Sequence, residues 1–236
     1  MKSTMPVPIL LYHQIDVPPA KRMPFRSMIV HPDAFRRQMA WLRRLGYQGL
    51  SLHDAIPYIE GRKSGKVAVI TFDDGFSNVY ENALPVLQEY GFTATNFFVA
   101  NQIGGQNAWD IPLGVAPASC MSASQIREWA ALGHEVGSHT LDHVRLPDVP
   151  AEEARRQIVQ ARDILQDITG APVTSFAYPY GDENARLRTI VREAGYHHAT
   201  TTERRRAQPR DDGFGLPRLS IRRNDSWLHF LKKCLM

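Results

Sequence analysis

Apolar residues recur along the chain with two alternating periods. Short apolar runs at Val7–His13, Lys66–Phe72 and Thr93–Ala100 have the length and composition of strands buried on both faces. Between such runs the apolar positions follow a helical spacing, as in His31–Gly46 and Pro150–Gly170, and both of these segments end at a glycine. This alternation predicts one α/β domain over residues 1–236 with a mostly parallel sheet.

The same two patterns continue through the rest of the chain. Further helices are predicted at Asn78–Gly91, Ser122–Gly133, Glu183–Tyr196 and from about Ser226 onward. A short strand or a turn is predicted at His134–His139, and a strand that enters a turn at Val173–Gly181. Residues 101–121 are predicted to form a long loop. Because parallel α/β folds collect their chemistry at the carboxyl ends of strands, polar side chains at those ends are the first functional candidates.

The composition is that of a globular protein without a nucleic-acid signature. Hydrophobic residues make up 43% and charged residues 22% of the 236 residues, and the formal net charge is only +4. The densest basic segment, Glu203–Arg210, has no interleaved aromatic residues, so we interpret it as a solvated loop, and the alternative is a contact with a nucleic acid or another polyanion. Two distant cysteines, Cys120 and Cys234, exclude a disulfide framework.

The hydropathy pattern also bears on location. No apolar run approaches the length of a membrane span. The first segment, Met1–His13, has an apolar run that is interrupted by prolines and is too short for a signal sequence. We therefore expect a cytoplasmic protein without a membrane span; the alternative is a segment whose export signal is missing. The sequence leaves the oligomeric state open.

Two adjacent carboxylates, Asp73 and Asp74, end the most apolar strand in the stretch VAVITFDDGF. Two like charges about 4 Å apart repel by about 4 kcal/mol at an effective dielectric constant of about 20. Gly75 allows the backbone to turn, so both side chains can face one pocket, where a cation would neutralise one of them. The alternative is that one aspartate caps a helix that starts near Ser77.

A histidine pair follows about 65 residues later in the stretch SHTLDH. His139 and His143 are four residues apart, so on a helical turn they would share a face and could bind one metal ion, although two surface histidines on a turn would look the same. Together with one aspartate they would form a site of two histidines and one carboxylate, which suits a catalytic Zn²⁺. The second aspartate would stay ionised and could accept a proton.

The pair of motifs TFDDG and SHTLDH resembles the polysaccharide deacetylase family, the NodB-homology carbohydrate esterases. The resemblance implies a distorted, incomplete (β/α) barrel that hydrolyses N-acetyl groups on N-acetylhexosamine units of a glycan. It also implies that Asp73 is the general base. Asp74, His139 and His143 would then hold Zn²⁺ or another divalent ion such as Co²⁺ or Ni²⁺.

The stretch AYPYG, Ala177–Gly181, is similar to the third motif of this family. The resemblance implies that the backbone N–H of Tyr180 stabilises the oxyanion. Two features depart from the usual pattern. Ala177 stands where the family often has an arginine that orients the base, and the late Leu-x-His element that supplies the general acid is missing.

A Leu-x-His element is present instead at the start of the chain, in LLYH. This arrangement resembles the circularly permuted branch typified by poly-N-acetylglucosamine deacetylases, and it implies that His13 is the general acid. The alternative is a structural histidine at the end of a strand. We interpret the other strand-associated histidines, His134, His197 and His198, as structural, and Trp109 either as a loop anchor or as a platform for a sugar ring.

Two other functions are compatible with the same residues. A non-haem Fe(II) enzyme also uses two histidines and one carboxylate. A carbohydrate-binding domain could retain the groove without catalysis, although binding alone requires no base such as Asp73. In each carbohydrate reading the partner is an N-acetylated sugar, and the sequence does not identify the glycan.

Overall fold

Ten short strands and eight helices follow one another in the computed structural model, which describes residues 5–19 and 23–235. The strands are β1 (Ile9–Tyr12), β2 (Gln14–Ile15), β3 (Ile29–Val30), β4 (Gln48–Leu50), β5 (Val67–Phe72), β6 (Thr95–Phe98), β7 (Glu135–Ser138), β8 (Ser175–Ala177), β9 (His198–Thr200) and β10 (Leu219–Ser220). The helices are α1 (Pro32–Arg44), α2 (Leu52–Ile59), α3 (Ser77–Asn82), α4 (Leu84–Tyr90), α5 (Ala123–Ala131), α6 (Ala151–Thr169), α7 (Ala185–Glu193) and α8 (Trp227–Leu235).

Eight of the strands form one parallel sheet in the order β10-β1-β5-β6-β7-β8-β9, with β4 beside the first half of β5. The sheet curls into a half-barrel, and a parallel bridge between Thr200 and Leu216 continues the pairing past β9. This is the incomplete (β/α) barrel that the family resemblance implies. Since every pairing in this sheet is parallel, all eight strands present their carboxyl ends at the same rim.

Aromatic side chains connect the central strands to the helices that cover them. The ring of Phe72 lies 5.6 Å from Tyr12, 5.8 Å from Phe35 and 6.2 Å from Trp129. All four side chains are buried, so β1 and β5 are fixed against α1 and α5. This packing holds the two strand ends that precede His13 and Asp73 at a constant separation.

Local signals explain where the helices begin and end. The side chain of His31 accepts a hydrogen bond from the Asp33 amide and Pro32 occupies the first turn of α1. At α5, Ser122 and Gln125 form a reciprocal capping box. α6 ends at Gly170, whose φ of 67° requires the left-handed conformation that glycine adopts without strain.

The structure differs from the predicted elements in several places, and the short strands β2, β3 and β10 were not predicted. The predicted helix Asn78–Gly91 is two helices, because Pro85 cannot donate the hydrogen bond that would continue α3. The predicted loop over residues 101–121 contains two short 3₁₀ turns. β4 and α2 were not predicted, since β4 has three residues and α2 contains Pro57. None of the helices in the described ranges is both long and apolar enough to cross a bilayer.

Candidate active site

A cavity of about 260 Å³ opens at the carboxyl rim of the sheet, and it brings together every site residue that the sequence predicts. These residues follow four different strands: His13 after β1, Asp73 and Asp74 after β5, His139 and His143 after β7, and Tyr180 after β8. The parallel register explains why they meet. Tyr12 lies opposite Phe72, so the next residues, His13 and Asp73, lie side by side at the rim.

The backbone leaves the strand direction abruptly after Asp73. Asp74 has φ of 76° and Gly75 has φ of 74°. A Cβ atom on Gly75 would lie 2.6 Å from the Phe98 ring, so only glycine fits at this turn. The helix that follows has Phe76 as its N-cap and no side-chain cap, so the predicted alternative of a capping aspartate is wrong.

Asp73 is buried and forms a two-point ion pair with Arg218. Arg218 Nη1 and Nη2 each donate a hydrogen bond to one carboxylate oxygen, both at 2.7 Å, and the arginine side chain is fully buried. Burial alone would raise the pKa of Asp73, but the Arg218 guanidinium outweighs it and holds that pKa below its ordinary value of 3.8. Asp73 is therefore an ionised carboxylate with a fixed orientation at neutral pH.

Arg218 is the site residue that sequence reasoning missed. It lies in the stretch LPRLS immediately before β10, and it also donates to the carbonyl of Thr201 at 2.9 Å and to Thr71 Oγ1 at 3.3 Å. The sequence feature that could have identified it is a single charged residue inside an apolar run. Such a position predicts a buried cation, and a buried cation requires a buried partner. Arg218 thus gives Asp73 the contact that the arginine expected at Ala177 would have made.

Asp74, His139 and His143 form a buried cluster of hydrogen-bond acceptors. Their ligand atoms all lie within 4.8 Å of one another, and Asp74 Oδ1 is 3.6 Å from His139 Nε2 and 3.3 Å from His143 Nε2. His139 Nδ1 lies 2.7 Å from the carbonyl of Ala177, to which it donates, so Nε2 carries the free lone pair. Burial lowers the pKa of His139 to about 4, which keeps the ring neutral.

The same cluster lacks a donor for its acceptors. Within the described part of the chain, Asp74 Oδ1 accepts no hydrogen bond although it is buried. A carboxylate oxygen and the neutral His139 imidazole that converge without a donor fit a divalent cation, so this ligand set suits the predicted metal.

The histidines converge by a route that the sequence did not indicate. They lie on an irregular turn, not on a helical turn, and Thr140 and His143 have φ of 70° and 58°. The His143 ring is held by packing: Trp109 stacks on it at 4.8 Å, and Tyr180 meets it edge-on at 4.7 Å. His143 Nδ1 has no hydrogen-bond partner among the described residues, so these two rings set its orientation.

Tyr180 occupies a tight turn with φ of 63°, its side chain lines the cavity, and Arg145 lies 5.0 Å above its ring. His13 is half-buried and lines the same cavity. Asp110, which sequence reasoning did not single out, also lines it, and burial raises the pKa of this carboxyl. The roles assigned to Tyr180 and His13 stay predictions, and so does the permuted motif order.

The other candidates lie outside this cavity. His134 is buried, its Nδ1 accepts a hydrogen bond from the Ala94 amide at 3.2 Å, and its ring packs on Trp129, which fits the predicted structural role. His197 and His198 do not contact the cavity. Cys120 and Cys234 are both buried free thiols.

Comparison with known proteins gives a consistent result. The sequence model of the family described as polysaccharide deacetylase matches residues 60–199. This range contains Asp73, Asp74, His139, His143 and Tyr180, whereas His13 and Arg218 lie outside it.

Several relatives share most of the chain. The poly-β-1,6-N-acetyl-D-glucosamine N-deacetylase of Staphylococcus epidermidis is 28% identical over 218 residues, which cover 88% of this chain and 73% of that protein. The solved structure of IcaB from Ammonifex degensii superimposes with a TM-score of 0.83 at 26% identity and covers 98% of this chain and 97% of its own. The Streptococcus pyogenes deacetylase PplD, solved in complex with acetate, shares the fold with a TM-score of 0.85 at 24% identity, over 99% of this chain and 100% of its own.

The family match thus covers more than half of the chain and contains the acceptor cluster together with the Asp73 carboxylate. The half-barrel found here is also the fold of the related deacetylase structures. On these grounds the chain belongs to the polysaccharide deacetylase family.

Proposed function

We propose that this protein hydrolyses the N-acetyl groups of N-acetylhexosamine units in a glycan, with Asp73 as the general base and zinc as the metal. Membership of the family makes the protein a deacetylase, a hydrolase that acts on an amide bond. The observation that carries the proposal is one cavity that holds an ionised carboxylate, fixed by Arg218, beside a separate cluster of metal-type ligands.

Asp74, His139 and His143 would hold the metal, because their acceptor atoms converge and His139 is kept neutral. A divalent ion bound there would polarise the acetyl carbonyl and lower the pKa of a water molecule. Three protein ligands leave a position open for substrate, as is usual in catalytic zinc sites. The two histidines favour zinc over magnesium or calcium, which prefer oxygen ligands.

Asp73 would accept the proton of the attacking water. Both of its oxygens bind Arg218, so the carboxylate cannot rotate and stays ionised over the neutral range. The water oxygen bonds to the acetyl carbon, and the N–H of Tyr180 would donate a hydrogen bond to the carbonyl oxygen as negative charge develops there.

The carbon–nitrogen bond then breaks, and the nitrogen must gain a proton because an amide anion is too basic to leave. His13 lines the cavity on the side of Asp73 and would supply this proton, so the products are acetate and a free amine. His13 is half-buried at the rim, and we expect it to regain its proton from solvent.

The buried ion pair also bears on the binding-domain alternative. Removing two charges from water costs several kcal/mol per ion before their attraction is counted. A domain that only binds sugar needs neither Asp73 in its cavity nor the buried Arg218 that pairs with it. The fold and the relatives likewise favour a deacetylase over a non-haem Fe(II) enzyme.

Acetate release tests the proposal. Purified protein is incubated with β-1,6-linked N-acetylglucosamine oligomers, because relatives carry that substrate in their names, and with β-1,4-linked oligomers for comparison. We expect acetate to be released, to stop after chelation and to return when Zn²⁺ is added. If zinc-loaded protein releases no acetate from any N-acetylated sugar, the proposal is wrong. The cytoplasmic location expected from the sequence stays a prediction, which cell fractionation can test.

A further inference from the structure

A second cavity, of about 600 Å³, lies beside the catalytic cavity and is strongly basic. We refer to it as the cationic groove, and its basic lining residues are Arg204, Arg205, Arg206, His229, Lys232 and Lys233. The only acidic residue among its lining residues is Asp225. Most of these side chains come from two segments, the loop after β9 and helix α8, which precede and follow the edge strand β10 along the chain.

The groove adjoins the catalytic cavity. Arg204 lines both cavities. Arg222, which follows β10, lines the catalytic cavity but not the groove. A molecule seated against the metal ligands can therefore extend past Arg204 into the groove. The two cavities are best described as one extended binding surface with a catalytic part and a basic part.

Part of the positive charge in this surface is uncompensated. Arg205 pairs with Glu203 and Asp211, and Lys233 pairs with Asp225. Arg204, Arg222 and Lys232, by contrast, are exposed, and their side chains form no ion pair or hydrogen bond with any described residue.

Positive side chains in a concave surface strengthen one another's field and attract anions. In the catalytic cavity Asp73 is paired with Arg218 and Asp74 would be a ligand of the metal, so the unpaired cations of the groove are the groups available to bind an anion attached to the sugar.

On this basis we infer that the substrate is an N-acetyl sugar that bears a phosphate or diphosphate group, which the cationic groove binds while the acetamide lies in the catalytic cavity. Guanidinium and ammonium groups spaced along a groove suit an oligoanion with several oxygens. This inference rests on the proposed function, because it assigns the substrate class of the same site. The basic segment Glu203–Arg210 is thus part of a binding surface and not merely a solvated loop.

The test compares two kinds of substrate in two proteins. kcat/KM for acetate release is measured with a neutral N-acetylglucosamine oligomer and with the same sugar bearing a phosphate, for the native protein and for Arg204→Gln/Lys232→Gln. Each removed charge should lower the ratio of phosphorylated to neutral kcat/KM about two- to fivefold, the range of exposed ion pairs. Arg127→Gln, an exposed arginine on α5, is the matched control and should leave the ratio unchanged.

The phosphate can belong to a soluble carrier or to a polymer, so two phosphorylated substrates are used. Uridine diphosphate N-acetylglucosamine represents the first source, and an N-acetylglucosamine oligomer with a phosphodiester represents the second. Any binding of phosphate to the metal is common to both proteins and cancels in the comparison. A ratio that is the same in native and double-variant protein for both substrates overturns the inference while leaving the proposed function intact.

A binding measurement separates this inference from the proposed function. If no substrate releases acetate, the proposed function fails. Calorimetric titration with inorganic pyrophosphate then still tests whether the cationic groove binds phosphate groups. Binding that weakens about fivefold or more in Arg204→Gln/Lys232→Gln and not in Arg127→Gln supports the inference, and equal binding overturns it. If Lys232→Gln reduces attachment to phosphatidylglycerol vesicles while the substrate ratio stays constant, the groove is a membrane contact and the inference is wrong.

Discussion

Replacing Arg218 by methionine should show how much the stability of the fold and the pKa of Asp73 depend on the Asp73–Arg218 ion pair. The substitution keeps an unbranched apolar stem of similar reach but removes both hydrogen bonds to the carboxylate, together with those to Thr201 and Thr71. Asp73 is then a buried carboxylate without a counter-charge. Breaking a buried pair in this way costs about 3–5 kcal/mol, a large fraction of the stability of a typical domain.

The same substitution should change the pH dependence. In the native protein Arg218 holds the pKa of Asp73 below its ordinary value, so the pair stabilises the fold fully above that value and loses its effect as the pH falls through the lowered pKa. In Arg218→Met burial dominates and raises the pKa, so the destabilisation is greatest at neutral pH and shrinks as the pH falls through the raised pKa. A metal ion bound near Asp73 would lower its pKa in both proteins. The pKa of Asp73 would still be higher in Arg218→Met than in the native protein, because the variant lacks one positive charge.

Two measurements check this reasoning. Denaturant unfolding of Arg218→Met at neutral and mildly acidic pH should show a loss of stability that is smaller at the lower pH. The acidic limb of the pH–rate profile should move to higher pH, because Asp73 must be ionised to accept a proton.

Asp73→Asn/Arg218→Met should recover part of the lost stability and remain inactive, and Arg127→Met serves as the exposed control. Arg218→Lys keeps the charge with a single donor and should fall between native and Arg218→Met. An unchanged acidic limb together with unchanged stability in Arg218→Met would refute the assigned role of the pair.

Three further predictions concern the catalytic groups themselves. Asp73→Asn should retain the metal but lower the rate by a factor on the order of 10²–10⁴, and a near-normal rate would show that the two aspartates were misassigned. His139→Ala should lose the divalent ion, as measured by elemental analysis, whereas the exposed His53→Ala should keep it; full occupancy in His139→Ala contradicts the ligand assignment. His13→Ala should keep metal and substrate binding, lower kcat, and shift or remove the basic limb of the pH–rate profile; an unaltered profile would leave the general acid to another group.

The ligand cluster could be predicted because its information is local. TFDDG places two carboxylates at a strand end, and SHTLDH places two histidines at another. Parallel strands deliver those ends to one rim whatever the details of packing, so Asp74, His139 and His143 had to lie near one another once the fold class was recognised. The helical turn assumed for the histidines was wrong, but their convergence did not depend on it.

Other local expectations failed where a short-range signal was weak. The single helix predicted over Asn78–Gly91 divides near Pro85, although the apolar pattern continues across the break. Strand β4 has three residues, too few for a period of two to be recognised. Such short elements form because the neighbouring strand pairs with them, and that support is invisible in their own sequence.

By itself, the sequence determined the fold class, the rim at which chemistry occurs and the residues that would hold a metal. Only the tertiary structure decided which cation neutralises Asp73. Arg218 lies 145 positions away along the chain, and the sequence around either residue does not indicate that the two pair. Only the folded chain could likewise place Trp109 against His143 and gather Arg204 and Lys232 into one groove. The physical reason is that a buried charge is stabilised by contacts in space, and spacing along the chain fixes such contacts only within a single turn or strand.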